Sequence, residues 1–198
     1  MMRGSDDISA RFANVRGIER QRALDTLALA FVADPLIRWF YPEAGQYVAH
    51  FGEFAQAFAG RAFEENTAWR LDGFSAVALW LPPDDPGDDA WMAELDASVP
   101  SEKMADFRMA VTDQTVAPTT RNWYLALIGV DPARQRQGLG TELMSRCLEV
   151  VDEDHLPACL DSANPRDIPF YERHGFRVTG KSQAGNCPPI CSMMRDAH

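Results

Sequence analysis

The sequence predicts one α/β or α+β domain arranged around a single mixed sheet, on three observations. The last third alternates strand and helix patterns, the signature of a sheet layered with helices. The first third is dominated by helical spacing of apolar residues. No break in composition divides the 198 residues, a length that fits one full domain and is short for two.

Taken in order, IERQRALDTLALAFVADP places Leu24, Leu27, Ala28 and Phe31 at helical spacing, and Asp34-Pro35 is expected to stop that helix. LIRWFYPEAGQYVAHFGEFAQAFAGRAF predicts two short helices broken at Pro42. WRLDGFSAVALWLP sets a DG turn between two apolar runs, which signals a β-hairpin. PPDDPGDDAWMAELD is expected to be a solvated loop capping the next helix, SEKMADFRMAVTDQT to be helical, and VAPTTRN to be a linker. Then follow a strand (WYLALIGV), a corner, a helix over about residues 138–153, a strand (ACLDS), a short helix over about residues 166–174, and the strands FRVTG and ICSMMR.

Composition narrows the function. Asp and Glu number 29 against 19 Lys and Arg, a net charge of -10. A nucleic-acid surface needs clustered basic residues to neutralise phosphates, and no such cluster is present. An acidic surface weakly favours cationic substrates such as amines. No apolar run approaches the ~20 residues that cross a membrane, and the N-terminal MMRGSDDISARFANVRG lacks the apolar core of a secretory signal. A cytoplasmic location is the expectation. Cys147, Cys159, Cys187 and Cys191 form no CxxC, and His50, His155, His174 and His198 form no HxxxH or HExxH. Reduced, inert thiols and no bound metal are therefore expected.

The chemistry concentrates at VDPARQRQGLGTEL, where a strand turns into a helix. The first turn of a helix has unpaired N–H groups and a partial positive charge. Gly138 and Gly140 let the backbone approach a ligand, and Arg134 and Arg136 add positive charge. This predicts a phosphate-bearing ligand. GLGTE lacks the GK[S/T] of a P-loop, and the dinucleotide fingerprint fails because its third glycine is missing and DPARQRQ intervenes.

Gln135, Gly138 and Gly140 match the Gln/Arg-x-x-Gly-x-Gly/Ala signature of the acyl-CoA pyrophosphate loop in the GNAT family of N-acetyltransferases, which this chain resembles. Val130 and Pro132 fit the pattern as well; the second signature position, often glycine in that family, is Arg136 here. ACLDSANPRDIPFYERHGF is similar to the second half of the family, with strand, helix, Tyr and Gly-Phe in order. Together with AFVADPLIRWFYP, AVALWLPP and PPICSMMR, these segments resemble the puromycin N-acetyltransferase group within it, and the resemblance spans most of the chain. It implies a single GNAT-like domain over residues 1–198, with a central mixed, mostly antiparallel twisted sheet flanked by helices. Residues 1–120 would form a variable acceptor-side half and residues 121–198 the acetyl-CoA-binding half.

The resemblance also implies roles. Backbone N–H groups of Gln135, Arg136, Gln137, Gly138, Leu139, Gly140 and Thr141 would hold the pyrophosphate. The strand would splay from its neighbour near Ile128, Gly129 and Val130, freeing backbone groups for the pantetheine arm and the acetyl carbonyl. Asn164 would touch the cofactor arm, while Asn-Pro-Arg-Asp also reads as a helix cap. Tyr171 would be the general acid for the departing thiolate. Asp161 is the candidate general base, with Glu64, Glu65 or a water chain as alternatives. Trp39, Phe40, Tyr41 and the Trp80-Leu81-Pro82 segment are candidate walls for an apolar, amine-bearing acceptor.

The function expected is acetyl transfer from acetyl-CoA to the amine of a small molecule, without a metal, by direct attack in a ternary complex. A non-catalytic acyl-CoA-binding module and a protein N-acetyltransferase are the alternatives. A small-molecule amine is the expected partner, with a homodimer as the candidate assembly and no nucleic acid or membrane.

Overall fold

The computed structural model describes residues 11–83, 90–112 and 121–198. The strands are β1 (Phe12–Asn14), β2 (Ala68–Leu71), β3 (Ala76–Leu81), β4 (Trp123–Val130), β5 (Ala158–Ser162), β6 (Arg177–Ser182) and β7 (Ile190–Arg195). They form one sheet in the order β1-β2-β3-β4-β5-β7-β6. Only β4 and β5 run parallel; every other neighbouring pair is antiparallel. The parallel pair exists because a helix intervenes: the chain leaves β4, turns through a helix and returns in the same direction.

The helices are α1 (Arg20–Ala30), α2 (Pro35–Phe40), α3 (Ala44–Ala59), α4 (Arg61–Glu64), α5 (Ala90–Ser98), α6 (Ser101–Thr112), α7 (Leu139–Val151) and α8 (Ile168–Glu172). Successive strand residues face opposite sides of the sheet. On β3, Ala76, Ala78 and Trp80 join Leu143, Met144 and Cys147 of α7 in one buried cluster. Val77 and Leu79 join a second cluster with Leu27 of α1, Phe51 and Phe54 of α3 and Phe107 of α6. Strand β3 is apolar on both faces because both faces are covered. Each such side chain, fully buried, contributes about 1.5–3 kcal/mol.

The predicted hairpin is present as β2 and β3, paired from Leu71↔Ala76 to Ala68↔Leu79. The predicted break at Pro42 is present, between α2 and α3. Two helical expectations are corrected. Helix α3 is longer than expected, at 16 residues, because Phe51, Phe54, Ala55 and Ala59 bury one continuous stripe. Asp34 does not end the first helix, which stops at Ala30. It begins the next one: its carboxylate accepts from the N–H groups of Leu36 and Ile37, with Pro35 at the first helical position. Residues 84–89 of the expected Pro/Asp loop and most of the expected linker, through residue 120, lie outside the described residues.

Strand β4 is the hinge of the architecture. It pairs with β3 from Leu81↔Tyr124 to Ala76↔Val130, with a bulge at Ala126 where Leu79↔Leu127 gives way to Trp80↔Leu125. Against β5 it pairs only at Trp123↔Ala158 and Tyr124↔Cys159. From Leu125 onward the two strands part. The opening therefore begins earlier than the expected Ile128–Val130.

Candidate active site

The corner after β4 is built by local hydrogen bonds. Asp131 donates its N–H to the Ser75 carbonyl (2.9 Å), and its carboxylate accepts from the Ala133 N–H (2.9 Å), capping a short turn at Pro132–Arg134. Arg136 and Gly138 both adopt left-handed backbone, with φ of 62° and 80°. Glycine takes such a conformation at little cost, whereas a side chain costs about 1–2 kcal/mol there. Left-handed backbone at Arg136 explains why glycine suits that position in the loop the chain resembles. Gly140 is under no such constraint: a Cβ there would lie 3.4 Å from Val130 and 3.6 Å from Phe170, in ordinary contact.

Helix α7 starts at this corner with its first internal bond from Glu142 N–H to Gly138 carbonyl (2.9 Å). Gly138, at the cap, has no side chain to offer. The N–H groups of Leu139, Gly140 and Thr141 thus form the uncapped first turn of an amphipathic 13-residue helix.

Not every polar group of the loop is free for a ligand. Arg134, expected to supply positive charge, binds the Asp72 carboxylate at 2.8 Å across the β2–β3 turn and bonds Gln137 Oε1 at 3.2 Å. Gln135 Nε2 donates to the Val130 carbonyl at 3.3 Å. These side chains brace the loop, so the ligand-facing groups of Gln135 and Gln137 are their backbone N–H groups. Arg136 has no such partner among the described residues.

The opening exposes backbone. Asp131 bonds toward β3, and bonding alternates along a strand, so the N–H and C=O groups of Ile128 and Val130 point the other way, into the gap. Gly129 is glycine for packing: a Cβ would meet Ala30 Cβ at 2.5 Å and Leu27 at 3.3 Å, so α1 lies directly on it.

The gap widens into a cavity of about 380 Å³ lined by Ile128 and Tyr124 of β4, Asp161 of β5, Tyr171 of α8, and Asp34 and Asp167. Its apolar wall is Phe31, Phe40, Phe54, Phe58, Trp91 and Phe107. Here the sequence expectation is partly corrected. Of Trp39, Phe40 and Tyr41, only Phe40 reaches the cavity. Trp39 lies under Lys103 (5.5 Å) and Tyr41 stacks on His50 (5.4 Å). Trp80 is buried under α7 on the opposite face of the sheet, and Leu81 and Pro82 are not among the lining residues. Phe31, Phe54, Phe58, Trp91, Phe107 and the carboxylates of Asp34 and Asp167 are the site residues that sequence reasoning missed.

Tyr171 lies beside Phe170 (5.2 Å) and Phe176 (6.3 Å). None of the described residues hydrogen-bonds its hydroxyl. Burial pushes its pKa up, and the nearby carboxylates of Asp167 and Asp34 push it further, so the phenol holds its proton. Asp161 accepts from Ser192 Oγ (2.7 Å) and from the Tyr124 hydroxyl (3.2 Å). Burial raises its pKa above the usual carboxylate range, opposed by those two hydrogen bonds. Asn164 serves the local turn: Oδ1 accepts from Arg166 N–H (3.2 Å) and Nδ2 donates to Asp167 (3.0 Å). Helix α8 starts only at Ile168, with Pro169 in its first turn, as the proline requires.

The alternative bases sit elsewhere. Glu65 pairs with Arg61 at 3.0 Å and Glu64 lies 4.0 Å from Arg20, and neither lines the cavity. Ligand atoms of His50, Glu53 and Glu94 lie within 4.8 Å of one another, and these residues too are outside the cavity wall. All four cysteines are free, three of them buried; burial pushes the Cys159 thiol up to about 12. None of the described helices is long and apolar enough to cross a membrane.

Comparison with known proteins meets this geometry. An uncharacterized N-acetyltransferase of Schizosaccharomyces pombe is 22% identical over 82% of this chain and 72% of its own length. The mycothiol acetyltransferase of Beutenbergia cavernae is 28% identical over 70% of this chain, which spans only 40% of that relative's length. A Corynebacterium glutamicum structure described as histone acetyltransferase HPA2 and related acetyltransferase shares the fold. Its TM-score is 0.63 at 18% identity, covering 95% of this chain and 96% of that one. The profile of the Acetyltransferase (GNAT) family matches residues 55–176, more than half of the sequence, from α3 through the corner after β4 to Phe176. The chain belongs to the GNAT family of acetyltransferases.

Proposed function

We propose that this acetyltransferase moves the acetyl group of acetyl-CoA to the amine of a small molecule with an apolar body, by direct attack in a ternary complex. One observation carries the reading: a single cavity at the β4–β5 opening brings together the free backbone of Ile128, the Tyr171 hydroxyl, the Asp161 carboxylate and an aromatic wall.

The residues fit the co-substrate. The uncapped N–H groups of Leu139, Gly140 and Thr141, with the left-handed backbone of Arg136 and Gly138, form a cradle for two linked phosphates. The gap-facing groups of Ile128 and the N–H of Val130, whose carbonyl already accepts from Gln135, offer an edge to the amide-bearing pantetheine arm. Acetyl-CoA supplies the activated thioester. Ile128 N–H is the backbone donor that would bind developing negative charge on the acetyl oxygen. Asp161, with its raised pKa, accepts the proton that the attacking amine sheds. Tyr171, protonated at neutral pH, donates to the sulfur as the carbon–sulfur bond breaks. Residues 1–120 would supply most of the acceptor wall and residues 121–198 the acetyl-CoA side.

The cavity wall also speaks about the acceptor. Among the described lining residues there is no Lys, Arg or His, so the ionisable groups that face the acceptor are acidic or phenolic. That suits an amine and disfavours an acid. A protein acceptor is the weaker reading, because aromatic side chains of α3, α5 and α6 close over the site.

The test is thiol release from acetyl-CoA with a panel of small amines. Tyr171→Phe is expected to lower kcat about 100-fold or more while leaving the KM for acetyl-CoA nearly unchanged. No thiol release with any amine, or full activity in Tyr171→Phe, overturns the reading.

A further inference from the structure

Strand β4 stops pairing with β5 at Tyr124↔Cys159. Beyond that rung a side-chain bond crosses the opening: the Tyr124 hydroxyl donates to Asp161 Oδ2 at 3.2 Å. From the other side Ser192, directly opposite Asp161 in the β5–β7 pair, donates from Oγ to Oδ1 at 2.7 Å. Each oxygen of the carboxylate thus accepts from a hydroxyl, and Tyr124 stands with Asp161 in the cavity wall. Resting on the N-acetyltransferase reading above, we infer that Tyr124 is a catalytic residue: its hydroxyl takes the proton of the attacking amine and hands its own proton to Asp161.

A hydroxyl can do both at once, because its oxygen accepts as well as donates. Tyr124 gives its proton to Asp161, and no donor among the described residues reaches its oxygen. The ring is held edge-on to Phe58, another wall residue, with centroids 6.3 Å apart and planes at 88°. The hydroxyl therefore stands where the apolar wall meets the carboxylate. An amine whose carbon body lies on the aromatic wall presents its nitrogen at that boundary. The step balances. As the nitrogen attacks the acetyl carbon, the nitrogen–carbon bond forms and an N–H bond breaks. That proton goes to Tyr124 Oη while the phenol's own proton goes to Asp161 Oδ2. The phenol ends neutral, as it began, and the carboxylate ends protonated. The electrons of the carbon–sulfur bond leave with the sulfur, which Tyr171 protonates. Burial and the Asp161 charge hold the Tyr124 phenol in its protonated form, so the two transfers proceed together and not through a phenolate. Ser192 keeps Oδ1 engaged and leaves Oδ2 as the receiving atom.

The experiment is single-turnover acetyl transfer by the full chain, with acetyl-CoA and the fastest of benzylamine, phenethylamine and tyramine, in mixtures of light and heavy water. Tyr124→Phe keeps the ring against Phe58 and removes the hydroxyl. It is expected to lower the rate about 100-fold, the scale of general acid–base transfer, with the steady-state KM for acetyl-CoA near the parent's. Ser192→Ala removes a brace of the same carboxylate and no link of the relay. Its expected loss is at most about tenfold, the scale of one hydrogen bond. The relay moves one more proton than a direct transfer does. Plots of rate against deuterium fraction should therefore curve more for the parent and for Ser192→Ala than for Tyr124→Phe. A Tyr124→Phe loss no larger than that of Ser192→Ala, or a Tyr124→Phe plot as curved as the parent's, overturns the relay and leaves the acetyltransferase reading intact. No turnover of any of these amines by the parent overturns that reading, and the relay with it.

Discussion

Gly129→Ala tests the central joint of the fold, where α1 lies on the strand that opens. The added Cβ would sit 2.5 Å from Ala30 Cβ and 3.3 Å from Leu27 Cδ2. Carbon atoms pack at about 3.5–4.0 Å, so α1 and β4 must separate by about 1 Å or more. Overpacking of this kind costs about 1–3 kcal/mol. For a domain of this length each kcal/mol moves Tm by about 2–4 °C, so a fall of roughly 2–12 °C is expected. The assay is thermal unfolding of a double-mutant cycle with Ala30→Gly. Ala30→Gly alone costs at most about 1 kcal/mol, since Ala30 is the last residue of α1. Because it removes the atom that clashes, the double variant should be more stable than the sum of the single losses predicts, by about 1 kcal/mol or more. If the two losses simply add, Gly129 is not glycine because α1 rests on it, and the packing argument is wrong.

Two further predictions concern the loop and the cavity. Gly138→Ala places a side chain at φ 80° and should cost about 1–2 kcal/mol, while raising the KM for acetyl-CoA. Gly140→Ala meets only ordinary contacts and adds a better helix former, so its Tm should hold or rise; the reverse order in thermal unfolding would contradict the loop geometry. Asp34→Asn should gain stability relative to the parent as pH rises. The native pKa of Asp34 is raised, so between the ordinary value of about 3.9 and the native value the folded parent binds more protons than the unfolded chain. Its stability falls with pH across that window, and urea unfolding at a series of pH values should show the difference growing upward in pH; a flat difference would contradict the burial of this carboxylate.

The strand–corner–helix unit of the proposed CoA side was legible in the sequence because it is local. A strand, a Gly-containing turn and an amphipathic helix lie within residues 123–151, and their order alone predicts an anion site. The proposed acceptor side is assembled from afar. Phe54, Phe58, Trp91 and Phe107 come from three helices and Phe31 follows the end of α1, and helical periodicity says that such residues are buried but not whether they face a core or a cavity. Strand β3 shows the same limit: it is apolar on both faces, so no alternation betrays that Trp80 points away from the site. Charge was misread for a similar reason. Arg134 looked available beside Gly138, yet its partner Asp72 lies on the β2–β3 turn, 62 residues upstream.

These errors share a direction. The sequence offered aromatic side chains for the acceptor and arginines for the phosphates; under the proposed function much of that recognition falls to backbone and to carboxylates. Arg134 pairs with Asp72, so in the proposed reading the helix N-terminus and left-handed turn would meet the anion. Asp34 looked like a helix breaker, whereas it caps α2. Its place in the cavity wall with Asp167 and Asp161 depends on contacts far apart in sequence, which no local pattern shows. Burial raises the pKa of Asp34, Asp161 and Asp167, so desolvation opposes the charge on each carboxylate of this largely apolar chamber. Under the proposed function a cationic amine would bind beside these carboxylates, so binding and charge compensation would be one event, and the acceptor's charge, more than its ring or chain, is the first property to vary in a substrate search.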